Sequence, residues 1–178
     1  MSFTLHTIDT APEASRESLQ ESEKSFGWLP NLHRVLAEAP TALQAYKDLH
    51  TAFQNTSFNA TELTVVWQTI NFENQCHYCL PAHSMIAKML KVDDAIIAAL
   101  KENKPLADNK LEVLRSTTRA LLLDRGHLSA EQIDQFKAVG YGNQQLIEII
   151  VGLAQKTISN YVNHLANTPL DDQFKKFV

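Results

Sequence analysis

With 178 residues, 44% hydrophobic and 20% charged, the chain is long enough for one core or two small packed halves, and its composition excludes disorder and fibre. Sixteen Lys and Arg against 20 Asp and Glu leave a net charge of -4, and no stretch gathers a phosphate-tracking stripe, so no nucleic acid partner is expected. The opening MSFTLHTIDTAPEASRES has no basic region followed by an apolar block, and no apolar run is long enough for a membrane span, so a cytoplasmic protein without a membrane partner is expected.

Phe3, Leu5 and Thr7 alternate briefly, which allows an extended N-terminal arm but no sheet. Thr10 with Glu13 spells a capping box for a polar helix to about Lys24, which Phe26-Gly27-Trp28-Leu29-Pro30 breaks. A short helical turn over 31–38 follows, and Pro40 then starts a helix carrying Leu43, Tyr46, Leu49 and Phe53, ending before 55–59. Asn59 and Glu62 cap the next helix, over 60–74. Leu63, Val66, Trp67 and Ile70 on one face, with Val65 and Phe72 on others, predict that it is central.

Pro81 lacks an N–H and fits only a first turn, while Ala82, Met85, Ile86, Met89 and Leu90 continue a 3.6 period. Cys76 and Cys79 therefore lie at a helix N-terminus. Asp93 or Asp94 opens a short helix to about Glu102, and Asp108 opens one through Leu111, Leu114, Leu121 and Leu122 to Gly126. Ser129 with Gln132 is a further capping box. Gly140-Tyr141-Gly142-Asn143 turns into a long last helix, on which Leu146, Ile150, Leu153, Thr157, Tyr161 and Leu165 keep near-heptad spacing until Pro169. The fold expected is all-α, a single domain over 1–178 with a CxxC core at 62–91.

Cys76 and Cys79 are the only cysteines, and their spacing suits a redox pair or metal ligands in a reducing compartment better than a disulfide staple. A helix N-terminus can lower a thiol pKa toward the reactive thiolate, and His83 lies one turn beyond Cys79 on the same face, placed to exchange a proton. Two other readings compete. C-x-x-C-x-x-x-H offers three zinc ligands, with a fourth from His50, His77 or His164, but the second knuckle of a structural site is missing, so no metal is expected. The cysteines could also be simple buried small residues.

The segments FGWLPNLHRVLAEAP, CHYCLPAHSMIA and NYVNHLANTPLD, with the apolar helix from Glu62, resemble the carboxymuconolactone decarboxylase family and its AhpD-like alkylhydroperoxidase, or peroxidase-related, branch. The resemblance implies an AhpD-like helical bundle assembled as trimers or hexamers. It also implies an oxidoreductase that reduces a peroxide through a Cys76–Cys79 disulfide cycle, with His83 in the proton relay. No cofactor is implied; the reductant would be a dithiol such as a lipoyl protein.

One position departs from the pattern. Family peroxidases resemble one another in a glutamate twelve residues before the first cysteine, where this chain has Thr64. Two nearby carboxylates are candidates for its place. Glu73 precedes Cys76 by three residues and is preferred as the partner of His83; Glu62 is more simply the capping partner of Asn59. Cys79 is expected to meet the peroxide and Cys76 to resolve it, with the roles open to reversal. Two alternatives remain: a decarboxylating lyase of the carboxymuconolactone type, which the cysteine pair disfavours, and a redox-sensing helical oligomer without catalysis, which Thr64 favours.

Overall fold

The computed structural model describes residues 3–178. Among them no strand occurs, and the helices are α1 (Glu13–Phe26), α2 (Asn31–Leu36), α3 (Pro40–Gln54), α4 (Ala60–Glu73), α5 (Cys79–Met89), α6 (Asp94–Lys101), α7 (Asn109–Leu123), α8 (Ala130–Ala138) and α9 (Asn143–Ala166), followed by a C-terminal 3-10 helix (Asp172–Phe177). No helix among the described residues is long and apolar enough to cross a membrane.

Local chemistry sets most of these boundaries. Asn59 and Glu62 close a reciprocal capping box on α4, Ser129 and Gln132 do the same for α8, and the carboxylates of Asp93 and Asp108 accept backbone N–H groups at the starts of α6 and α7. Gly27 ends α1 in the left-handed region at φ 77°, where its N–H donates to the Glu23 carbonyl. The capping box expected at Thr10 and Glu13 does not form: Thr10 is drawn into a turn with Thr7 and His6, and Pro12 precedes the helix without a side-chain cap. The 3-10 helix was not legible in the sequence.

The central position of α4 is confirmed, since every residue from Glu62 to Asn71 is buried. It packs against α5, α6, α7 and α9, and α9 also packs along α2 and α3. Two apolar clusters flank it. One joins Phe53, Val65, Val66, Trp67 and Ile70 to Leu114, Phe136 and Ile149; the other joins Leu19, Leu36, Leu43 and Tyr46 to Cys76, Cys79 and Phe174.

The near-heptad apolar stripe of the last helix does not face the core: Ile150, Thr157, Tyr161 and Leu165 are exposed, as is Ile147, with Leu146 and Leu153 only partly buried. The buried face is Ile149, Gly152, Gln155, Lys156, Ser159, Asn160 and Asn163, and five of these side chains are polar or charged. A helix turns such a face inward only where the polar groups find partners.

Candidate active site

Those partners are the cysteine turn and the residues around it. The chain leaves α4 through Asn74 and Gln75, the Cys76 N–H donates to the Asn71 carbonyl at 3.0 Å, and α5 begins at Cys79. Both cysteines are buried and free. From α9, the Asn163 Nδ2 donates to Cys79 Sγ at 3.3 Å and lies 3.9 Å from Cys76 Sγ. Asn160 bridges the same region, donating to Asn71 Oδ1 at 3.0 Å and accepting from Asn74 Nδ2 at 2.9 Å.

The backbone N–H of Cys79 donates to Cys76 Sγ at 3.3 Å, so the opening of α5 serves the first sulfur. The second is handled by side chains. Burial alone would raise the Cys79 thiol, but the hydrogen bond from the Cys76 thiol and the positive charge of Lys156 outweigh it and bring Cys79 down to about 6. Cys76 moves the other way, raised far above the ordinary thiol range by that same hydrogen bond and by burial. One proton is thus shared unequally, with the thiolate on Cys79.

Lys156, fully buried on α9, donates to His83 Nε2. Burial lowers the ammonium, and the two cysteines offset that only in part. His83 is buried too, and desolvation followed by the Lys156 charge holds it well below the ordinary imidazole range, hence neutral. Its ring lies 4.8 Å from that of Trp67, whose indole N–H donates to Gln155 at 2.7 Å. His50 stacks on the other side of the chemistry, 5.4 Å from Trp67, and burial and Lys156 depress it to about 4. The Nδ1 of His83 has no hydrogen-bond partner among the described residues.

A cavity of about 560 Å³ opens onto this cluster. Cys79, His83 and Lys156 line it together with Phe26, Tyr46 and Ile86, whereas Cys76 does not. Tyr78, between the two cysteines, donates its hydroxyl to Asp171 and accepts from the Leu32 N–H at 3.2 Å. The C-terminal segment is thereby tied to the cysteine turn.

The structure therefore brings Cys76, Cys79 and His83 together and leaves the two candidate carboxylates outside. Glu73 is engaged by Arg119 at 2.7 Å and makes no hydrogen bond to His83, which corrects the preference for it as the relay acid. Glu62 accepts from the Asn59 N–H at 2.9 Å, from the Tyr141 hydroxyl at 2.8 Å and from Lys110 at 3.2 Å, the network of a cap. Thr64 donates to the Ala60 carbonyl of its own helix. His77 binds the Thr168 carbonyl at 3.0 Å, and among the described residues no three His, Cys, Asp or Glu side chains are grouped to hold a metal ion.

Lys156, Asn163 and Gln155 went unnoticed in the sequence. Their signal was the helical spacing of the polar residues 155, 156, 159, 160 and 163, the periodicity that would mark a core face had the residues been apolar.

Neither a protein-family model nor a curated protein sequence matches the chain. Solved structures do. A peroxidase-related protein from Ralstonia eutropha JMP134, described as an alkylhydroperoxidase AhpD core, superposes with a TM-score of 0.82 at 18% identity over 97% of this chain and 93% of its own. The chain has the AhpD-like fold. A second peroxidase-related protein with this fold, from Silicibacter sp. TM1040, gives 0.82 at 15% identity over 97% of this chain and 93% of its own. The debrominase Bmp8 gives 0.79 at 18% identity over 98% of this chain and 94% of its own. A cysteine-to-alanine variant of Bmp8 was solved in complex with 2,3,4-tribromopyrrole. In this chain the AhpD-like bundle is what sets the polar face of α9 against the cysteine turn.

Proposed function

We propose that the protein is a thiol-dependent hydroperoxidase that works as a homo-oligomer and is recharged by a dithiol reductant. The observation that carries this reading is the inequality of the two sulfurs. Cys79 lines the cavity with its thiol lowered to about 6, while Cys76 lies behind it, protonated and within reach. The Cys79 thiolate attacks the outer oxygen of a hydroperoxide; an S–O bond forms, the O–O bond breaks, and the sulfur is oxidised to a sulfenic acid as the peroxide is reduced to an alcohol. The Cys76 thiol then displaces water from the sulfenic acid, giving the disulfide. A dithiol reduces that disulfide and returns both protons. The apolar cavity walls favour an organic hydroperoxide over hydrogen peroxide.

Steady-state reduction of cumene hydroperoxide with dithiothreitol or dihydrolipoamide tests this. Repeated turnover is expected from the wild type, with Cys79→Ser inactive. A single equivalent of peroxide consumed, with no further turnover in excess dithiol, would favour a redox sensor.

A second reading draws on the bromopyrrole bound to a cysteine variant of the debrominase. The cavity, walled by Phe26, Tyr46 and Ile86, has room for a halogenated aromatic ring beside Cys79. The same thiol pair would reduce a carbon–bromine bond to carbon–hydrogen, releasing bromide and leaving the disulfide. Bromide release from tribromopyrrole under the same dithiol conditions separates the two.

A further inference from the structure

His83 is held at one ring nitrogen and free at the other. Its Nε2 faces the Lys156 Nζ; with Lys156 as the ammonium, which has three donors and no acceptor, Nε2 accepts and the ring proton sits on Nδ1. That N–H is buried, finds no acceptor among the described residues and belongs to a side chain lining the cavity. A buried donor left without a partner costs free energy in the resting protein, and a substrate oxygen entering the cavity would supply the missing acceptor.

Neither candidate carboxylate competes for the role of acid, and Glu21, which lines the cavity, is paired with Lys47 at 2.8 Å. Glu73 is held by Arg119, Glu62 by Asn59, Tyr141 and Lys110, and Thr64 cannot ionise near neutral pH. His50 meets the site from α3, but its Nδ1 accepts from Gln155 at 3.2 Å. Lys156 is the ionisable side chain bonded to His83 among the described residues.

We propose that Lys156 supplies the proton that the reaction consumes, passing it through His83 to the oxygen that leaves the peroxide. This rests on the hydroperoxidase reading above. As the O–O bond breaks, the departing alkoxide takes the proton of His83 Nδ1, and Nε2 takes one from Lys156, leaving a neutral amine and an alcohol. When the dithiol later reduces the disulfide, the proton of the regenerated Cys79 thiol returns to Lys156 and restores the thiolate and ammonium. Lys156 is therefore a positioning and proton-supplying residue acting through His83. His83 is the catalytic residue that touches the leaving oxygen.

The role predicts which substrates depend on Lys156. An alkoxide is a strong base and needs a proton to leave, whereas a peroxyacid releases a carboxylate, which does not. In Lys156→Met, the ratio of cumene hydroperoxide to peracetic acid turnover should fall by roughly 10²-fold, the low end of general-acid effects. Loss of the thiolate's counter-charge would slow both substrates alike and leave the ratio unmoved. An unchanged ratio overturns the proposal while the hydroperoxidase reading stands. Absence of turnover in the wild type overturns both. Nitrogen-15 NMR of the wild-type His83 ring at neutral pH keeps the test open should Lys156→Met not fold. A proton on Nδ1 is expected, and one on Nε2 leaves no acceptor for Lys156 and overturns the proposal.

Discussion

Cys76 and Cys79 are three residues apart, share burial, and differ only in what surrounds each sulfur. The helix N-terminus to which the sequence points does donate to a sulfur, but to Cys76; what lowers Cys79 is the Cys76 thiol together with a lysine 77 positions further along the chain (156 − 79). No local pattern could show that. An acid with a pKa of about 6 is ionised above that pH, so iodoacetamide should label Cys79 with a rate that rises through a midpoint near pH 6 and is flat by pH 8. Labelling of Cys79 that still climbs beyond about pH 8.5, the free-thiol value, would contradict the assignment. The carboxylates separate at the same scale. Glu73→Gln should leave peroxide turnover unchanged in the steady-state assay, because Glu73 faces Arg119 and not His83. Glu62→Gln should lower stability in urea by about 1 kcal/mol through the weakened cap, with turnover retained.

Capping chemistry is local, and so the starts of α4, α6, α7 and α8 were legible at Asn59, Asp93, Asp108 and Ser129. The central place of α4 followed from an apolar girth that only a buried helix tolerates. The orientation of α9 was not legible, because it carries two stripes at helical spacing, one apolar and one polar. Which stripe turns inward is decided by the polar groups of the cysteine turn, supplied by a distant part of the chain. Gly152 marks the inward side. A Cβ placed there would lie 2.9 Å from Phe53 Cε2 and 3.2 Å from Val66 Cγ1, so α9 approaches α3 and α4 at van der Waals limits. Gly152→Val should destabilise the protein by about 1–3 kcal/mol through overpacking, read as a lower urea midpoint. An unchanged midpoint would mean that α9 does not pack with this face.

The single chain leaves an apolar surface that its own fold does not cover. Ile147 is 68% exposed, Tyr161 55% and Leu165 72%, and with Ile150, Ala154 and Thr157 they form a stripe spaced by three or four along the 24 residues of α9. Such a seam suits a second helix of the same kind, and closed symmetry makes another copy of this chain the natural occupant. Light scattering at micromolar concentration should give an oligomer, and Ile147→Glu with Leu165→Glu should shift it toward the monomer. A wild-type monomer would contradict the proposed assembly.

All of these scales meet at the chemistry of two sulfurs, and a stoichiometric reaction reads it most directly. Reduced protein mixed with one equivalent of cumene hydroperoxide and analysed by mass spectrometry should lose two hydrogens per chain, with Cys76 and Cys79 joined in one peptide. Cys76→Ser should instead stop with one added oxygen on Cys79. An unmodified Cys79 in both proteins, or oxygen accumulating on Cys76 in a Cys79→Ser variant, would contradict the account.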